Sequence, residues 1–178
     1  MDARACEGSP AGGGLTATAR PLVYLETSFI SHLTARDSSD PLHAAKQQSS
    51  RKWWTSYRNN FIVVVSPTVY EECRGGEPAM VEKRLTVIQN TSLLPANAAI
   101  LEVAALLLEP HGPLPKKAQA DVVHIASATL YGCDFLLTWN FKHIANAMIK
   151  RRVERILEEH GYQSPTICTP DELMGELA

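Results

Sequence analysis

Residues 121–140 read DVVHIASATLYGCDFLLTWN, and this stretch decides the architecture. Asp121 opens a segment, Asp121 to Ala128, that is otherwise largely apolar and of helical length. It leads directly into Phe135-Leu136-Leu137, a continuous apolar run bounded by polar residues. A run without apolar–polar alternation suits a strand buried on both faces, as in a parallel sheet. A helix feeding such a strand is the repeating unit of an α/β domain.

Working outward, the same alternation recurs. Leu22-Val23-Tyr24-Leu25 and Phe61-Ile62-Val63-Val64-Val65 are further buried-strand candidates, with weaker ones at Ser92-Leu93-Leu94 and Thr166-Ile167-Cys168. Helices are predicted over about 28–36, 40–59, 67–74, 78–90, 96–109, 116–131, 148–160 and 170–177. The last begins at Thr169-Pro170-Asp171-Glu172, with Thr at the N-cap and Pro at the first helical position. The expectation is one three-layer α/β/α domain over 21–178, with a mainly parallel sheet of about five strands. Residues 1–20, rich in Gly and Ala and without a continuous apolar core, read as a disordered leader.

Composition narrows the function. The 178 residues carry 17 Lys+Arg against 19 Asp+Glu, a formal net charge of −2, which excludes a polybasic nucleic-acid coat or membrane anchor. No run approaches the roughly 18 apolar residues of a membrane span, so a soluble protein is expected. Cys6, Cys73, Cys133 and Cys168 are scattered with no CxxC pair, which argues against a zinc site or disulfide scaffold and for a reducing, cytoplasmic setting. No GxGxxG or GxxxxGK[ST] follows a strand, against dinucleotide and P-loop enzymes.

In open parallel sheets, ligands bind beyond the carboxyl ends of the strands. The first strand there meets Glu26-Thr27-Ser28, the second Ser66-Pro67-Thr68 and then Glu71-Glu72, and the fourth Thr138-Trp139-Asn140. Asp121 lies on the helix leading into that fourth strand, where a carboxylate is costly unless paired or bound to a cation. Three carboxylates, Glu26, one of Glu71 and Glu72, and Asp121, aimed at one sheet edge suit a hard divalent cation, Mg²⁺ or Mn²⁺. Such an ion lowers the pKa of a water and neutralises a phosphate under attack, which points to phosphodiester hydrolysis.

At these residues the chain resembles the PIN-domain nucleases. Val23-Tyr24-Leu25-Glu26-Thr27-Ser28 is similar to their opening strand, Ser66-Pro67-Thr68-Val69-Tyr70-Glu71-Glu72 to their second segment, Asp121-Val122-Val123-His124-Ile125-Ala126 to their third, and Leu136-Leu137-Thr138-Trp139-Asn140-Phe141 to their fourth. The four occur in order over about residues 22–170, and the likeness is nearest to the VapC-like toxins of type II toxin–antitoxin pairs. The resemblance implies a Mg²⁺- or Mn²⁺-dependent endoribonuclease in which Glu26, Glu72 and Asp121 hold the metal. Asn140 would be a neutral ligand or water-positioning group, and Thr27 and Thr138 would support them by hydrogen bonds. It also implies an RNA substrate and a small antitoxin partner. A homodimer is expected from the apolar content of the 40–59 and 78–109 helices.

Two positions depart from the pattern. Glu26 stands where the family usually has Asp, and Asn140 where it usually has an acid, so the centre carries three formal negative charges instead of four. The alternative function is a catalytically weakened PIN-like module that binds RNA or protein. Restoring the charge with Asn140→Asp is expected to tighten metal binding, unless the longer Glu26 already fills the space a fourth acid would use. Bland roles stand beside the sharp ones. Glu26 can be a surface carboxylate or helix cap, Asp121 a first-turn carboxylate favoured by the helix dipole, and His124 a structural histidine bonded to backbone. Glu71 is expected to be solvated, because successive helical positions diverge by about 100°. His143 is a candidate phosphate contact, and Trp53, Trp54 and Trp139 are helix-packing anchors or base-stacking rings.

Overall fold

The computed structural model describes residues 20–175, so nearly all of the expected leader lies outside the described residues. Five strands form one all-parallel sheet: β1 (Leu22–Leu25), β2 (Ile62–Val65), β3 (Ser92–Leu93), β4 (Phe135–Leu137) and β5 (Thr166–Cys168), in the order β3-β2-β1-β4-β5. Val23, Tyr24, Leu25, Val65, Leu136 and Leu137 are buried, as two-sided cover of the central strands requires.

Among the described residues, eight α-helices pack around this sheet: α1 (Thr27–Thr34), α2 (Pro41–Lys52), α3 (Pro67–Cys73), α4 (Pro78–Gln89), α5 (Ala99–Leu107), α6 (Gln119–Leu130), α7 (Ala147–Glu159) and α8 (Pro170–Gly175). Helices α1, α2 and α8 associate in one group and α5, α6 and α7 in another, giving the three-layer α/β/α arrangement. Strand order reverses between β1 and β4, whose register pairs Leu25 with Leu137. That reversal opens a crevice at their carboxyl ends, the general ligand position in such sheets.

Local chemistry accounts for the boundaries. Ser66 caps α3 with Pro67 at its first position, and Asp40 caps α2 ahead of Pro41. At α8, Thr169 and Glu172 bond reciprocally, Thr169 N–H donating to Glu172 Oε2 at 2.7 Å and Glu172 N–H to Thr169 Oγ1 at 3.3 Å. After α6, Gly132 takes φ 61° while Cys133 N–H returns to Ala128 O at 2.9 Å, turning the chain into β4.

The expected 40–59 helix is not continuous. It runs as α2 to Lys52, then as a π-helical turn Trp53–Tyr57 and a 3₁₀ turn Arg58–Asn60. The change of period aims Trp53 inward, where its ring lies 5.4 Å from Phe29 and 5.6 Å from Phe61. Trp53 is therefore a packing anchor, whereas Trp54 carries the Arg58 guanidinium 4.2 Å over its ring. The expected 96–109 and 116–131 helices are shorter, and Lys116–Ala118 forms a 3₁₀ turn before α6. Cys73, Cys133 and Cys168 are buried among apolar residues, and among the described residues no helix is long and apolar enough to cross a membrane.

Candidate metal centre

Strand β1 hands the chain to α1 at Glu26. Its backbone N–H continues the ladder to Leu137 O at 3.1 Å, and its extended conformation (φ −83°, ψ 155°) turns the carboxylate into the crevice. Glu26 is 5% exposed and makes no side-chain cap bond, so the surface and capping roles are both excluded. Oε2 accepts from Thr138 Oγ1 at 2.7 Å and from Ser28 Oγ. Ser28 Oγ in turn accepts Trp139 N–H at 2.8 Å, and Thr138 Oγ1 accepts Asn140 N–H at 2.9 Å. Two neutral hydroxyls thus hold a buried carboxylate, and among the described residues no Lys or Arg pairs with it. An ionised carboxylate in that setting is costly to bury unless a cation joins it.

Facing it is Glu72, on α3. Its Oε2 accepts from Thr27 Oγ1 and lies 3.0 Å from His124 Nε2, with the side chain one-third exposed. Burial is the largest influence on this carboxyl and acts to raise its pKa, but the hydrogen bonds from His124 and Thr27 outweigh it. The carboxyl therefore titrates below the usual range. Glu71 points away to an exposed ion pair with Arg74, the solvated role expected for it.

His124 departs from expectation. It is 1% exposed, and both ring nitrogens meet side chains instead of backbone. Nδ1 lies 2.8 Å from the Tyr24 hydroxyl, which lies 2.7 Å from Ser66 Oγ, which accepts Val69 N–H at 3.4 Å. One proton assignment satisfies every group: Ser66 O–H to Tyr24 Oη, Tyr24 O–H to His124 Nδ1, and Nε2–H to Glu72. The reverse direction would leave the buried Ser66 proton without an acceptor. His124 thus donates to Glu72 and steadies it. Burial pushes the Tyr24 hydroxyl far above its usual range, so Tyr24 stays protonated in this chain.

Asp121 sits in the first turn of α6 and has a basic neighbour that the sequence did not reveal. Its Oδ2 lies 2.7 Å from His143 Nδ1, while Oδ1 accepts from Asn140 Nδ2 at 2.6 Å. Asn140 Oδ1 accepts His143 N–H at 3.1 Å, so both ends of the amide are engaged. His143 is mostly buried against Asp121, not exposed as a phosphate contact.

The predicted residues therefore assemble as two adjoining groups bridged by Thr138. Ligand atoms of Glu26, Glu72 and His124 lie within 4.8 Å of one another, and Asp121 belongs to no such group among the described residues. The oxygen donors of Glu26 and Glu72 fit a hard divalent cation: two carboxylates converge, and the buried one lacks a Lys or Arg partner among the described residues. Reading the sequence missed Tyr24, Ser28, Ser66 and the roles of His124 and His143. The signal available was His124 three residues after Asp121, hence near it on one helix.

No family model matches the chain, and no curated protein matches it. Among solved structures, a chain of the crystal structure of VapBC2 from Rickettsia felis bound to a DNA fragment from its promoter superimposes with a TM-score of 0.56. The two are 13% identical, and the match covers 83% of this chain and 98% of that one. Mycobacterium tuberculosis VapC20, described as a Sarcin-Ricin loop cleaving toxin, gives a TM-score of 0.46 at 19% identity, covering 64% of this chain and 86% of that one. The fold assignment rests on the first of these and on the all-parallel five-stranded sheet: the chain has a VapC-like PIN-domain fold.

Proposed function

We propose that the chain is a PIN-type endoribonuclease dependent on Mg²⁺ or Mn²⁺, and that it acts as the toxin of a toxin–antitoxin pair. The observation that carries this reading is the Glu26 carboxylate, 5% exposed, held by two hydroxyls with no Lys or Arg partner among the described residues, and facing Glu72 across the crevice between β1 and β4. In this reading Glu26 and Glu72 hold the ion. When bound, the ion supplies positive charge to a scissile phosphate and lowers the pKa of an attacking water.

The protein's own groups do the rest. Thr138 and Ser28 orient Glu26, and Thr27 and His124 orient Glu72, so the two carboxylates need not reorganise on binding. Asp121, braced by His143 and Asn140, is the nearby acid whose Oδ atoms orient water or a further ligand at the edge of the crevice. One observation favours the binding-module alternative: both Asp121 oxygens already have donors.

An antitoxin partner is supported by the shared fold with a chain of VapBC2, itself a complex. The homodimer is a further part of the proposal, and light scattering at micromolar concentration tests it. The function itself is tested by incubating mixed single- and double-stranded RNA with the protein in Mn²⁺, Mg²⁺ or EDTA, beside Glu26→Gln and Asp121→Asn. Cleavage that needs the metal and Glu26 is the expected result. Cleavage unaffected by Glu26→Gln, or none with either metal, refutes it.

A further inference from the structure

The loop after β4 carries an exposed ring at the edge of the acidic centre. Phe141 is 48% exposed, yet its backbone is anchored: its N–H donates to Trp139 O at 3.0 Å, and Asn140 O accepts from Ile144 and Ala145 at 3.1 and 2.7 Å. Ile144 is fully buried and pins the loop. Beside Phe141 lies Trp139, fixed by its indole N–H to Ser50 Oγ at 2.8 Å, with ring centroids 6.1 Å apart. Lys46, from α2, sets its ammonium 5.1 Å from the Phe141 centroid and 5.9 Å from that of Trp139. Among the described residues no carboxylate pairs with Lys46 or with the exposed Lys142. The loop is tied to the centre through Ser28: Trp139 backbone N–H donates to Ser28 Oγ, which donates to Glu26.

An exposed phenyl on an anchored backbone calls for a flat apolar partner, and a lysine without a carboxylate calls for an anion. A nucleobase and its own phosphate satisfy both at once, whereas an apolar protein helix would bury the Lys46 charge unpaired. We propose, building on the ribonuclease reading above, that Phe141 and Lys46, buttressed by Trp139, form a subsite. It stacks one unpaired base of single-stranded RNA and neutralises the adjoining phosphate. A base inside a duplex is already stacked on its neighbours, so the subsite favours single strands.

The test is fluorescence anisotropy with a labelled single-stranded RNA and the corresponding duplex, in EDTA so that nothing is cut. Phe141→Ala should weaken single-strand binding about ten-fold, Phe141→Trp should retain it, and duplex binding should be unchanged by either. Lys46→Gln should weaken both and flatten the salt dependence. Circular dichroism confirms folding of each variant, and Phe141 is exposed enough to be replaced without opening the core. Single-strand affinity equal to wild type in Phe141→Ala overturns the subsite, as does an equal loss for duplex. The ribonuclease reading fails separately, by absence of metal-dependent cleavage in a wild-type protein that still binds RNA.

Discussion

Replacing Asn140 by aspartate sets two accounts of the acidic centre against each other. Charge counting expects Asn140→Asp to tighten metal binding. The geometry predicts a cost to the metal-free protein, because Asn140 Nδ2 donates to Asp121 Oδ1 at 2.6 Å and a carboxylate has no proton to give. The substitution removes a hydrogen bond to a charged group, worth about 1.5–3 kcal/mol. It also sets two carboxylates side by side, and unit charges about 4 Å apart repel by about 4 kcal/mol at an effective dielectric near 20. Asp121 is 19% exposed, so solvent screens part of this, and the His143 contact offsets more. A net destabilisation of about 2 kcal/mol follows, or a melting temperature lower by about 4–8 °C for a domain of this size. The sign with pH is fixed: repulsion raises the folded-state pKa of the added carboxyl, so the folded protein holds its proton more tightly than the unfolded one. The penalty is then present near neutral pH and is relieved as pH falls through that raised value. Thermal melts of both proteins in EDTA, from neutral pH to about pH 5, measure this. A variant as stable as wild type at neutral pH, or one whose deficit grows on acidification, refutes the reasoning.

Three further outcomes follow from the same contacts. Tyr24→Phe deletes the hydroxyl between Ser66 and His124 and leaves two buried groups short of a partner, so stability should fall by about 1–3 kcal/mol in thermal or urea unfolding, with the fold kept. In His124→Ala the Glu72 carboxyl loses its main stabilising partner and should titrate higher than in wild type, as read by carboxyl-carbon NMR. Because Glu72 is held low in the folded state, its contribution to stability is present above the unfolded pKa and lost as pH falls through the folded one, and this acid limb should weaken in the variant. Asp121→Asn should weaken the His143 contact and abolish RNA cleavage while circular dichroism stays that of wild type.

The sheet was legible in the sequence because buried parallel strands leave continuous apolar runs, and Leu22–Leu25, Ile62–Val65 and Phe135–Leu137 stand where such runs predict. Caps were legible for the same local reason, as at Ser66-Pro67 and Thr169-Pro170. Contacts between distant segments were not. Nothing local to Asp121 announces His143, which reaches it across a turn, and nothing local to His124 announces Tyr24, a hundred residues earlier. The π-helical turn at Trp53 was hidden because tertiary burial between Phe29 and Phe61 overrides helical period. In the sequence Asn140 reads as a missing charge, because the donor it supplies to Asp121 is visible only once both are in contact.

Calorimetric titration of Mn²⁺ into the wild-type protein and into Glu26→Gln tests most directly why a carboxylate is buried at the end of β1. The account predicts one binding event in wild type, lost in Glu26→Gln. It also predicts that the metal-free variant is at least as stable as wild type, since a glutamine oxygen keeps the Thr138 and Ser28 bonds without the desolvated charge. Equal Mn²⁺ binding by the two proteins, or a metal-free Glu26→Gln that is markedly less stable, would contradict it.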